Sequence, residues 1–219
     1  QNRLIGLFKN VLKYTYLGNW ETREGNANIE ETLLMAYLSR RSYTDKEIRS
    51  AIAKFKQAAN SLGGGLYNAN KEVYTLLRYG VNVQAEVTEK KKMVHLIDWA
   101  NPMENDFQIA EEVTIQGESD RRPDLVVYVN GIALAVIELK RSTVSAHEGI
   151  RQNIRNQQDG YIPRFFTTIQ LLFAGNDTEG LHYGVIKTPE KFWLRWKEPC
   201  GEPCKPSRFT AEEYPNELD

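Results

Sequence analysis

Three charged side chains stand at the ends of strands that the rest of the sequence marks for burial. Arg122-Pro123-Asp124 opens the apolar run Leu125 to Val129, Asn130-Gly131 follows, and a second apolar run ends in Glu138-Leu139-Lys140. A carboxylate inside an apolar sheet is costly unless it is paired or bound to metal. Two carboxylates on one face make a site for a hard cation such as Mg²⁺, which prefers oxygen ligands and keeps several waters. Lys140 reaches the same cavity, where its charge could help to deprotonate a water or stabilise a pentavalent phosphoryl transition state. The competing reading is a structural ion pair of Asp124 or Glu138 with Lys140. A Pro-Asp across a hairpin of apolar strands from the Glu-x-Lys favours the metal site.

Whether the carboxylates share a face depends on the turn. A two-residue turn sets Val129 opposite Ile132 and Asp124 opposite Ile137, so Glu138 points away from Asp124, because strand side chains alternate. A three-residue loop, Val129 to Gly131, sets Tyr128 opposite Ile132 and Asp124 opposite Val136. Asp124, Glu138 and Lys140 then lie on one face. That loop needs a left-handed residue, which Gly131 supplies at low steric cost. The expectation is therefore a positive φ at Gly131 and a bulge at the turn.

The next segment reads as a helix from about Ala146 to Asp159. Ile150, Ile154, Gln157 and Tyr161 fall on one face, with the polar end expected at the edge of the carboxylate cavity. Arg151 and Arg155 lie one position on, where they could meet phosphates. An ordinary amphipathic helix with a satisfied Gln and Tyr would show the same spacing.

The rest of the chain supplies the frame. The part to about residue 80 reads as helical. Leu4, Leu7, Phe8, Val11 and Leu12 keep helical spacing, Asn28 caps a second helix, and Thr44 to Glu47 resembles a capping box. A fourth helix, Asn70 to Tyr79, stops at Gly80. Strands are expected at Val81 to Val87, Met93 to Trp99, Phe107 to Ile115, the hairpin, Ile169 to Ala174 and Gly184 to Lys187. A last helix is expected over Pro189 to Trp196. The organisation follows: a helical part over 1–80, a core of sheet and helices over 81–197, and a linker-like tail over 198–219.

Composition sets bounds. The 219 residues are 41% hydrophobic and 11% aromatic, enough for a real core. A formal net charge of -1 excludes a uniformly basic DNA-coating protein. Cys200 and Cys204 cannot close a tetrahedral zinc site alone and read as free thiols of a surface loop. His95, His147 and His182 lack metal-ligand spacing. Trp20, Trp99, Trp193 and Trp196 read as packing residues rather than base-stacking platforms. No apolar run is long enough to cross a membrane and no secretory leader is visible, so a cytoplasmic protein is expected.

Pro123-Asp124, Glu138-Leu139-Lys140 and Gln157-x-x-x-Tyr161 together resemble the PD-(D/E)xK nuclease superfamily, in its branch with a Gln-x-x-x-Tyr motif. Asn68-Ala69-Asn70-Lys71-Glu72, Leu96-Ile97-Asp98-Trp99, Asn101-Pro102 and the stretch Arg121 to Lys140 resemble the N-terminal region of the type I restriction enzyme R subunit. The resemblance implies a PD-(D/E)xK restriction-endonuclease-like α/β core, with a mixed central sheet flanked by helices and an N-terminal helical part. It implies a Mg²⁺-dependent endonuclease cutting double-stranded DNA, with Mn²⁺ expected to substitute. Asp124 and Glu138 would hold the metal, Lys140 would position or activate the attacking water, and Gln157 and Tyr161 would orient the site or the DNA backbone. Glu31, at the start of a helix, is the candidate for a further acidic ligand, with Glu30 adjacent. Arg151, Arg155 and Lys140 would contact DNA. The implied partners are the modification and specificity subunits. No G-x-x-x-x-G-K-[ST] loop is present, so ATP would be used only by motor domains outside this chain, and the chain reads as an N-terminal fragment. The alternatives are a non-catalytic DNA-binding or subunit-docking module with the same fold, and a resolvase or repair nuclease of the same superfamily.

Overall fold

A computed structural model describes residues 1–84 and 90–197. Its frame is a seven-stranded mixed sheet built from β1 (Thr15–Asn19), β4 (Phe107–Glu111), β5 (Leu125–Val129), β6 (Ile132–Leu139), β7 (Leu171–Asn176), β8 (Gly180–Gly184) and β9 (Leu194–Arg195), in the order β1-β4-β5-β6-β7-β8-β9. The pairs β1–β4 and β6–β7 are parallel and the other neighbours antiparallel. A short ribbon of β2 (Val81–Val83) and β3 (Lys92–Val94) stands apart. Five α-helices flank these strands: α1 (Asn2–Gly6), α2 (Glu31–Ser39), α3 (Asp45–Asn60), α4 (Leu66–Tyr79) and α5 (Ala146–Asn156).

The helices form for readable reasons. Thr44 and Glu47 make the reciprocal capping box, and Ile48, Ile52, Phe55 and Ala59 then recur on the buried stripe of α3. Helix α4 begins earlier than expected, at Leu66, and stops at Gly80, whose φ is 90°. Ser145 caps α5 through the His147 amide.

Three clusters fill the interior. One face of the sheet buries Val126, Tyr128, Val136, Leu172 and Ala174 under Ile150 of α5. The other buries Ile109, Leu125 and Ile137 against Ile5, with Phe8, Tyr14 and Tyr16 packed around them. Helices α2 to α4 and the ribbon form the third, which includes Ile132 and Leu134 from the turn end of β6. Each fully buried Phe, Leu or Ile contributes about 1.5–3 kcal/mol relative to an exposed one.

Several elements differ from expectation. Residues Thr15–Asn19, inside the part read as helical, form an edge strand parallel to β4. The first helix is a single α-turn followed by a π-turn over Leu7–Val11. Glu30 rather than Asn28 caps α2, because the Asn28 carbonyl is drawn to the Ala133 amide at 2.9 Å. The strand expected over Phe107 to Ile115 ends at Glu111, since Glu112 has φ 50° and turns the chain. The strand expected at Met93 to Trp99 is Lys92–Val94. Of the one expected at Val81 to Val87, Val81–Val83 is a strand and 85–87 lie outside the described residues. The strand expected at Gly184 to Lys187 lies instead at Gly180–Gly184. Pro189 to Trp196 is not a helix: one 3-10 turn, Glu190–Phe192, leads into β9, where pairing with Tyr183 and His182 outweighs local propensity. The tail 198–219, with Cys200 and Cys204, lies outside the described residues. Trp20 and Trp193 are buried, but Trp99 and Trp196 are about half exposed, against the expectation of core packing.

Candidate functional site

The β5–β6 hairpin places the carboxylates by a route other than the expected three-residue loop. Its turn is the two-residue type, with Val129 opposite Ile132, and both Asn130 (φ 54°) and Gly131 (φ 78°) are left-handed. The bulge lies further along β6. Tyr128 pairs Ala133 and Val127 pairs Ala135, so Leu134 is the extra residue. Beyond it Leu125 pairs Ile137, and the next step sets Asp124 opposite Glu138. Without the bulge Glu138 would fall on the opposite face. The expected positive φ at Gly131 is present, while the expected bulge at the turn is displaced to Leu134. That residue's carbonyl accepts from the Gln170 amide at 2.8 Å, just where β7 joins the sheet.

Glu138 is fully buried, and neither of its carboxylate oxygens has a hydrogen-bond partner among the described residues. Burial pushes its carboxyl well above the usual carboxylate range. The charge of Asp124 adds to the rise, Lys140 opposes it and Glu112 adds again. Asp124 spends Oδ2 on the Leu139 amide, at 2.6 Å, which ties it to the strand that carries Glu138. Lys140 donates from Nζ to Gln152 Oε1 of α5 at 2.6 Å. Helix α5 comes this close because Gly149 has no side chain: a Cβ there would lie 3.1 Å from Ala174 Cβ and 3.4 Å from Glu138 Cβ.

The other expected site residues lie elsewhere. Gln157 is buried at the end of α5, where its Nε2 donates to the Asn153 carbonyl and its Oε1 accepts from the Lys187 amide. Both ends are spent, and it lies eight residues beyond Gly149, or about 12 Å along a helix. The Tyr161 ring packs under the Arg121 guanidinium, 4.2 Å from the ring centroid, at a cavity that neither Asp124 nor Glu138 lines. The structure therefore does not bring Gln157 and Tyr161 to the carboxylates; Gln152 is the glutamine at the lysine. Spacing did not single it out: Gln152 stands two residues after Ile150, off the apolar face of the helix.

Glu31 is exposed and ion-paired with Lys56 of α3. Its neighbour Glu30 donates its amide to Gly131 O at the hairpin turn and is held by both Arg23 nitrogens and the Ala27 amide. The turn lies about 20 Å along β6 from Glu138, at about 3.3 Å per residue, so neither acid reaches the site. After Asp124, the acid whose charge reaches Glu138 is Glu112, whose amide donates to Asp124 O and whose carboxylate pairs with Arg122 Nε at 2.9 Å. A strand read straight through Glu112 hid it. Arg151 is bound by Glu148 and Glu190 on the outer face of α5. Arg155 opens onto the same outer hollow.

Among the described residues no group of three or more His, Cys, Asp and Glu side chains is arranged to hold a metal. The facing pair still fits a hard cation that takes one or two carboxylates and fills its sphere with water or phosphate oxygens. Two buried, unpartnered carboxylate oxygens are the donor set such an ion requires.

The mixed sheet with helices on its faces is that of a PD-(D/E)xK-like nuclease fold. The family described as type I restriction enzyme R protein N terminus matches residues 1–191, and the chain belongs to it. A putative type I restriction enzyme endonuclease subunit of Methanocaldococcus jannaschii is 29% identical over 154 residues, covering 67% of this chain and 14% of that protein. A second from the same organism is 34% identical over 101 residues, 45% of this chain and 9% of that protein. A type I restriction enzyme endonuclease subunit of Staphylococcus saprophyticus is 30% identical over 88 residues, 40% of this chain and 9% of that protein. The chain thus corresponds to a small part of the relatives it matches. No described helix is long and apolar enough to cross a membrane.

Proposed function

We propose that this chain is the Mg²⁺-dependent endonuclease part of a type I restriction-modification system, hydrolysing phosphodiester bonds of double-stranded DNA alongside modification and specificity subunits. The observation that carries the reading is Glu138: a buried carboxylate with two unpartnered oxygens, facing Asp124 and followed by Lys140. A structural ion pair would have given Glu138 a hydrogen-bonded partner.

Asp124 and Glu138 would hold the cation, which when bound supplies positive charge to the scissile phosphate and leaving oxygen. Asp124 is oriented by the Leu139 amide. Lys140 is held by Gln152, so its ammonium stays where its charge acts on Glu138 and can orient the attacking water or donate to a phosphate oxygen. Burial by α5 excludes bulk water from Glu138 and strengthens each of these interactions.

The test is cleavage of supercoiled plasmid by the reconstituted complex with Mg²⁺ or Mn²⁺, comparing wild type with Asp124→Ala. Loss of cleavage in the variant is expected. Equal activity removes Asp124 from the mechanism, and an intact complex that never cuts leaves the docking-module reading in its place.

A further inference from the structure

A second cavity, of about 370 Å³, lies where α2, α4 and the segment after β3 meet. Its wall carries Tyr37, Arg41, Arg78, His95, Asp98 and Trp99. Trp99 is 47% exposed, yet its Nε1 donates to the Leu77 carbonyl at 2.8 Å, so a half-exposed indole is fixed in place. The Arg78 guanidinium stands 5.5 Å from the Trp99 ring centroid and 6.0 Å from that of Tyr79, and has no acidic partner among the described residues. Arg41 is tied down by Asp98 Oδ2 at 3.3 Å, Tyr37 Oη at 3.2 Å and the Glu104 carbonyl at 3.1 Å. Asp98 is thereby neutralised, while the charge of Arg78 is not. Lys92 over Tyr43 and Arg40 over Tyr37 extend the same alternation of cations and rings.

A fixed, half-exposed aromatic ring beside an arginine that pairs with no carboxylate among the described residues offers a base a stacking surface and a phosphate a fork of donors. We propose that this cavity binds one nucleotide of a single nucleic-acid strand, its base on Trp99 and its phosphate on Arg78. An acidic peptide would use Arg78 and leave the indole idle. The cavity packs at the turn end of the hairpin, where Asn130 Nδ2 bonds Leu96 O and Asn105 Oδ1, and so is separate from the carboxylates. The proposal does not rest on the nuclease reading.

The test is fluorescence anisotropy of a labelled oligodeoxythymidylate titrated with the Glu138→Gln chain in chelator, which keeps catalysis out of the readout. Trp99→Ala should weaken binding about 5- to 100-fold, and Trp99→Phe should keep most of it. Arg78→Ala should lower the salt dependence by about 0.7 in the log–log slope, the share of one single-strand phosphate contact. Melting curves check that each variant folds; should Trp99→Ala unfold, the exposed Arg78→Glu carries the test. The proposal is overturned if the oligonucleotide does not bind, if both sites can be altered without loss, or if polyglutamate competes as well as the oligonucleotide.

Discussion

Glu138 is the residue on which the proposed chemistry turns. Its folded carboxyl is raised, chiefly by burial and then by Asp124, so the folded chain keeps a proton that the unfolded chain gives up. The resulting stabilisation is fully present below the ordinary glutamate range and is lost as pH rises through the folded value. In chelator, this group should therefore make the protein less stable at pH 8 than near pH 5. Glu138→Gln should remove that part of the slope and raise stability at pH 8 by on the order of 1 kcal/mol, or about 2–4 °C in Tm. Thermal unfolding across pH checks this, and a wild-type-to-variant difference independent of pH contradicts it. Gln152 holds Lys140, so on the proposed function Gln152→Ala should slow plasmid cleavage by the complex roughly 100-fold while leaving Mn²⁺ affinity near wild type. Asp124, Glu138 and Lys140 were legible because charge at the ends of apolar strands is conspicuous. Gln152 was not, because helical spacing says which face a residue occupies but not which one a lysine reaches. Gln157 and Tyr161 satisfied the spacing and face other partners.

The hairpin turns that residue pattern into a site. Asn130 is locked by its side chain, which accepts from the Asp106 amide at 2.7 Å and donates to Leu96 O and Asn105 Oδ1. A Cβ on Gly131 would lie 2.6 Å from Leu33 Cβ and 2.8 Å from both Glu30 O and Leu34 N, at a φ that L side chains rarely adopt. Gly131→Ala should cost about 2–4 kcal/mol in thermal or denaturant unfolding, from backbone strain and the clash with α2 together. Deleting Leu134 should restore plain alternation, turn Glu138 out of the cavity and abolish cleavage in a chain that still folds, as circular dichroism would report. The sequence showed that some bulge was needed but not where. Asn-Gly accommodates a two-residue turn on its own, and the irregularity sits where the Gln170 amide takes the Leu134 carbonyl, a contact made 36 residues on. The sharp break at Glu112 was equally hidden, since a positive φ in a non-glycine residue leaves no mark in composition.

At the scale of the whole chain, the strongest local signals came through: the capping box of α3, the glycine stop of α4 and the apolar runs of β5 and β6. The edges of the sheet did not. Strand β1 is five residues with a glycine inside it, and β9 is two residues, and both are held by pairing with distant strands rather than by their own pattern. The N-terminal segment therefore belongs partly to the sheet that carries the carboxylates, and its Ile5 covers the face opposite α5. The proposed function requires the pair Asp124 and Glu138 to take a divalent cation. Calorimetric titration of Mn²⁺ into the chain, wild type against Glu138→Gln, tests this most directly. Saturable binding by wild type is expected, with at least about tenfold weaker binding by the variant, because a charged ligand has been removed. Equal Mn²⁺ affinity in the two proteins would contradict it.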